Sequence, residues 1–157
     1  MGLSQLSPTA MAYSAVLALN VLWFGVGFWY FSLTSERAAN LLVPKSARNS
    51  PLFKTMSASV RFLGGMNFAF AVFAALLLAT GALFPDSRQR ALFAAVFSIA
   101  HASQFVCNVP VALAGGRQGE SLWHVLKGPM LFIFSVDFVL MLANGVLAVT
   151  LLVSADA

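Results

Sequence analysis

His101, Gln104 and Asn108 follow one another at spacings of three and four, which sets all three on one face of a helix. Asp137, Met141 and Asn144, at spacings of four and three, share a face in a later stretch, and Asn20 and Asn67 add one amide each from two earlier ones. All of them lie in apolar sequence. A polar group in hydrocarbon is costly unless it is paired, so each is a candidate for function as well as for structure. A carboxyl, an imidazole and amides that converge could hold the polar end of a ligand, relay a proton, or lock helices together. Interhelical hydrogen bonds contribute about 0.6 kcal/mol on average and up to about 2 kcal/mol. Asp137 lies about eight residues beyond Pro129, and His101 and Gln104 lie about six to thirteen before the end of their own helix, so at about 1.5 Å per residue the depths overlap. An Asp137 contact with His101 or Gln104 is feasible, and Arg61 could reach the same carboxylate from the cytoplasmic end. The chain has no phosphate-binding glycine loop, paired metal-ligand motif, nucleophile elbow or zinc-protease signature. An enzyme reading rests on Asp137 and His101 in proton transfer.

The elements that must position these residues follow from composition. Of 157 residues, 60% are hydrophobic and only 9% charged, with mean hydropathy +0.87. A soluble domain carries roughly 25% charged residues, so this is expected to be an integral membrane protein. A spanning helix needs about 20 apolar residues, and four such spans, about 9–33, 61–84, 90–112 and 129–153, account for nearly the whole chain. The expected fold class is all-α: one polytopic domain, residues 1–157, with four transmembrane helices in two antiparallel hairpins. No room is left for a soluble catalytic or nucleic-acid-binding domain. Ser7-Pro8 and Asp86-Ser87 supply helix starts, and Ser50-Pro51 can begin the second helix before its fully apolar part. Pro110 and Gly115-Gly116 mark the end of the third span, and Ser121 is expected to cap a short segment, Leu122–Lys127, ahead of the Gly128-Pro129 break. Trp29 and Tyr30 suit an interfacial belt. The N-terminus lacks the basic region of a signal peptide, so the first span is expected to be retained. Cys107 has no second cysteine to pair with.

Loop charge sets the expected orientation. Arg37, Lys45, Arg48, Lys54, Arg61, Arg117 and Lys127 share one side, against Arg88 and Arg90 on the other. That makes the first and third loops cytoplasmic and both termini non-cytoplasmic. The basic residues lie between apolar runs rather than in one stripe, so no nucleic acid is expected as a partner. The cytoplasmic loop 34–56 intersperses Leu41, Leu42, Val43, Leu52 and Phe53 with Arg37, Lys45, Arg48 and Lys54. It could lie on anionic headgroups or contact a partner, or be a plain solvated connection. Compact loops lean toward a bacterial inner membrane.

Depth argues against a haem held between two histidines. His124 precedes Gly128-Pro129 at the membrane surface, more than about 10 Å from the depth of His101 at 1.5 Å per residue. His101 alone could ligate a pigment magnesium or one haem face, but a buried histidine is more often hydrogen-bonded structure. No metal or cofactor is expected, a bound lipid or other lipophile being the one exception.

Arg61-Phe-Leu-Gly-Gly opens an apolar helix, and forty residues later His101-Ala-Ser-Gln lies within the next. This resembles the ergosterol-biosynthesis scaffold family of small four-helix membrane proteins, and also small bacterial four-helix membrane proteins of unknown function. Arg61, Gly64 and His101 match the family's segments one by one; Ser103 and Gln104 stand near its expected serine and acid, and the acid itself is missing. The likeness covers roughly a third of the chain and implies a non-catalytic scaffold that gathers membrane enzymes. With no extramembrane domain and no recognised catalytic set, the leading expectation is a small membrane adaptor or accessory subunit, associating with membrane lipids and with other integral membrane proteins or further copies of itself. The competing expectation is a binding or transport protein for a sterol, quinone, carotenoid or lipid, with His101, Gln104, Asn108 and Asp137 at its polar end. Fifteen phenylalanines suit flat lipophiles and lipid-facing packing alike.

Overall fold

The computed structural model describes residues 7–118, 121–122 and 125–155. Four long apolar helices dominate it, and the chain is a helical, multi-pass integral membrane protein. Helix α1 (Pro8–Phe28) continues as a π-helical turn over Trp29–Leu33, and a short helix α2 (Ser35–Leu42) follows. Then come α3 (Pro51–Ala79), α4 (Ser87–Leu113) and α5 (Gly128–Ala155). The four spans run 26 to 29 residues, or about 40 Å at 1.5 Å per residue, enough to cross a hydrocarbon core of about 30 Å with tilt. Ser7, Ser50 and Asp86 each accept a backbone N–H at a helix start, with proline in the first turn of α1 and α3.

Packing follows the order of the chain. Helix α1 lies against α3, α4 lies against α5, and the two antiparallel hairpins meet chiefly through α1 and α5. Close approach is made by small residues. A Cβ placed on Gly64 would stand 2.6 Å from the backbone nitrogen of Ser32, and one on Gly145 would stand 3.2 Å from Ser98 Oγ. The Ser98 hydroxyl also donates to Met141 O at 2.8 Å. Phe24 stacks on Phe70 with centroids 5.1 Å apart, and Phe73 on Phe97 at 5.6 Å, among buried alanines 71, 74, 91, 94 and 100. Large apolar side chains such as Leu22, Phe62, Leu113 and Val146 face outward, where lipid receives them.

One local reading of the sequence is borne out and one is corrected. Helix α3 starts at Pro51, where Ser50-Pro51 offers a start, and runs unbroken through Arg61 into its fully apolar part. Ser121 does not cap a helix, since Ser121–Leu122 pairs antiparallel with Arg117–Gln118, and residues 123–124 of the expected Leu122–Lys127 segment lie outside the described residues. Gly115 and Gly116, at φ 67° and 82°, end α4 and turn the chain back.

The Gly64 contact yields the first prediction. Gly64→Ala forces the α1 end away from α3 and should cost about 1–3 kcal/mol of stability in detergent. Gly65→Ala, with open space around its new methyl, should be neutral or stabilising by up to about 1 kcal/mol. Thermal unfolding of the two variants checks the contrast.

Candidate functional site

Near the middle of the bundle, four buried polar side chains join three helices. The exposures are 0% for Asn20 and His101 and 1% for Asp137 and Asn144. Asn20 Nδ2 donates to Asn144 Oδ1 at 2.9 Å, and Asn144 Nδ2 donates both to Asn20 Oδ1 at 3.2 Å and to Leu140 O at 2.8 Å. His101 Nε2 stands 2.9 Å from Asn20 Oδ1, and its Nδ1 stands 3.0 Å from Asp137 Oδ1. Trp23 completes the group by donating its indole N–H to Asp137 Oδ1 at 2.9 Å. The imidazole lies flat on Phe24, with centroids 4.6 Å apart. Among the described residues, every side-chain hydrogen bond between the two hairpins passes through Asn20 or Trp23, one turn apart on α1.

The helical faces read from the sequence place these groups. Of the two contacts their overlapping depths allow, Asp137 makes the one with His101, and Asn144 joins from the Asp137 face. The other candidates lie elsewhere. Arg61 does not reach Asp137: it is exposed, and its Nε donates to Ser35 Oγ at 3.3 Å while its carbonyl receives Ser32 Oγ at 3.1 Å. The turn into α2 brings those serines beside it. Asn67 donates to Leu63 O of its own helix at 2.9 Å, and Asn108 donates to the backbone of Gln104 at 2.7 Å. Trp23 is the contributor sequence reasoning missed, for an indole inside an apolar run reads as packing rather than as a donor to a buried carboxyl. Its spacing of three from Asn20 is the signal that puts both on one face.

Two cavities lie beside the network, toward the end that carries the first and third loops. One, of about 230 Å³, is walled by Trp23, Tyr30, Asn67 and Phe132; the other, of about 290 Å³, is walled by Asp137, Asn108, Cys107 and Met130. Phe31, Gln104 and Ile133 border both. The π-helical turn that carries Phe31 is a departure from α-helical geometry of a kind frequent at functional sites. Both ring nitrogens of His101 are engaged by protein groups, so neither is free to ligate a metal or haem. His124 lies outside the described residues. Among those residues no group of three or more His, Cys, Asp or Glu could hold a metal ion. The Asp137–His101 pair can hold a proton, but beyond His101 stands an amide oxygen, so the network offers no continuation for proton relay past Asn20.

The basic loop is partly occupied by local work. Arg48 closes the end of α2, donating through Nε to Val43 O at 3.0 Å and through Nη2 to Asn40 O at 2.6 Å. Lys54 meets Glu36 at 2.6 Å, and that hydrogen bond, with the lysine charge, holds the Glu36 carboxyl below its ordinary range. The depressed value keeps the pair intact above that range; it is lost only as pH falls through the lowered value, and salt screens it throughout. Arg37 and Lys45 are exposed and have no side-chain partner among the described residues.

The fold and site together define a four-helix, multi-pass integral membrane protein built around a buried Asp–His–Asn network. No family model, curated protein or solved structure matches the chain.

If Asn20 is the joint between hairpins, Asn20→Leu should cost about 1–3 kcal/mol by leaving His101 Nε2 and Asn144 underpartnered in an apolar interior. Asn108→Leu, which removes only a bond to its own helix, should change stability by less than about 0.5 kcal/mol. Equal losses on thermal unfolding would remove Asn20 from that role.

Proposed function

We propose that the chain binds a small lipophile between its two hairpins, with the polar end of the ligand directed at the buried network. The observation that supports this reading is a pair of mostly apolar cavities that share Phe31, Gln104 and Ile133, one lined by Asp137 and the other by its partner Trp23, with a few polar groups on their walls. Binding sites for small molecules have that constitution, concave and apolar with a few placed polar groups. The cavities are smaller than a typical drug site of about 300–1,000 Å³, which suits a headgroup or ring seated in the protein with its tail along the lipid-facing surface. By loop charge this end of the bundle faces the cytoplasm and both termini face the other side, and the compact loops favour a bacterial inner membrane; the ligand then enters from the cytoplasmic leaflet.

The accessory-subunit reading has its own specific support in Arg37 and Lys45, two exposed cations with no side-chain partner among the described residues, available to anionic headgroups or a partner's acidic surface. The sterol-scaffold likeness belongs with this second reading. Replacing both residues with glutamine should weaken association with anionic vesicles, or with a co-purifying protein, while leaving the melting temperature unchanged; unaltered association would remove the loop from consideration.

The lipophile reading is tested by native mass spectrometry of the protein extracted in mild detergent. A discrete small molecule released on activation is expected. Ile133→Trp, which fills space bordering both cavities, should lower its occupancy at least about tenfold, about 1.4 kcal/mol, with helicity retained by circular dichroism. Absence of any released small molecule from the parent protein, or equal occupancy in the variant, overturns the reading. A stoichiometric protein in the same spectrum would favour the accessory subunit.

A further inference from the structure

The donor and acceptor roles in the network follow from one backbone carbonyl. Leu140 O can only accept, so the Asn144 atom 2.8 Å from it is the amide nitrogen, and Asn144 Oδ1 is the atom left to receive Asn20 Nδ2. That turns Asn20 Oδ1 toward His101 Nε2, and an amide oxygen cannot donate, so Nε2 carries a hydrogen. A single proton is then held between His101 Nδ1 and Asp137 Oδ1, because two bare lone pairs do not face each other at 3.0 Å in a buried site. A further proton on Asp137 would leave an uncompensated positive charge in apolar surroundings.

Two properties hold whether the shared proton resides on nitrogen or on oxygen. The pair has no net charge, and Asp137 Oδ2 is an acceptor, as a carboxylate oxygen in one case and as the carbonyl oxygen of the acid in the other. Oδ2 has no protein partner among the described residues, Asp137 is 1% exposed, and it lines the 290 Å³ cavity. Ser103, Gln104 and Asn108 share that wall. Ser103 spends its one hydroxyl hydrogen on Ala100 O at 2.7 Å and presents an acceptor oxygen, while Asn108 gives one of its two amide hydrogens to Gln104 O at 2.7 Å and keeps its acceptor oxygen and a second N–H. Gln104, whose side chain has no hydrogen-bond partner among the described residues, can supply a donor to the oxygen of the same ligand group.

We infer that the ligand ends in a neutral hydrogen-bond donor, a lipophilic alcohol, whose hydroxyl is received by Asp137 Oδ2; this rests on the lipophile-binding reading above. An ether, ketone or quinone presents an acceptor to that acceptor. An ammonium satisfies the geometry but brings a charge that the neutral Asp137–His101 pair does not cancel.

The test uses the parent protein in mild detergent, with native mass spectrometry reading the binding of a long-chain primary alcohol, its methyl ether, the matching methyl ketone and the matching primary amine. The ether differs from the alcohol chiefly in lacking the donor. The alcohol is expected to bind roughly tenfold to a hundredfold more tightly than ether or ketone, and more tightly than the protonated amine. Binding of alcohol and ether should both fall in Ile133→Trp, which places them in the cavities. An infrared difference spectrum should show the Asp137 carboxyl band moving on addition of alcohol and not of ether, assigned by its loss in Asp137→Asn. Equal affinities for alcohol and ether, both sensitive to Ile133→Trp, overturn the donor rule and leave the lipophile reading standing. No binding of any probe overturns both.

Discussion

An unpaired amide or carboxyl cannot be left in hydrocarbon, and this constraint organises the bundle. Asn20, His101, Asp137 and Asn144 are each buried in an apolar protein that is itself surrounded by lipid, so each must find its partner on another helix or on its own backbone. The solution is one connected network in which α1 supplies Asn20 and Trp23, α4 supplies His101, and α5 supplies Asp137 and Asn144. Lipid tails are as apolar as the leucines and valines that face them, so hydrophobicity gives the hairpins little reason to associate. The polar network supplies directional contacts, and the small residues at Gly64, Ser98 and Gly145 let backbones approach within each hairpin.

The same constraint explains how much was legible in the sequence. Four spans and their pairing follow from charge-free runs and short connections, and counting residues back to a shared loop sets Asp137 at the depth of His101 and Gln104 without choosing between them. What depended on another element's path was not legible. Arg61 is drawn to Ser35 by the turn into α2, and nothing in its own helix foretells that turn. Arg48 and Lys54 look like free loop charges until α2 forms and offers them Val43, Asn40 and Glu36. Trp23 carries an apolar body and one donor, so spacing alone cannot say whether that N–H faces headgroups or a buried carboxyl. Gln104 and Asn108 share a face with His101, but α4 passes beyond the network there and presents them to a cavity.

Packing along the bundle is unequal, and this connects the fold to the proposed activity. On one side of the network, Phe24, Phe70, Phe73, Phe93 and Phe97 interlock across α1, α3 and α4, and Phe84 closes the end against Phe93. On the other side Phe105 stacks with Phe134 and Phe138 between α4 and α5, so those rings serve one hairpin and do not fill the space between the two. The hairpins are tied at mid-height, filled with rings above the tie, and left with cavities below it. A bundle that needed only to be stable would gain by filling that lower space, since buried voids cost free energy in proportion to their size. Retaining them beside the unpartnered Asp137 oxygen is what a ligand site requires, and a bound alcohol would supply both the missing packing and the missing donor to Asp137.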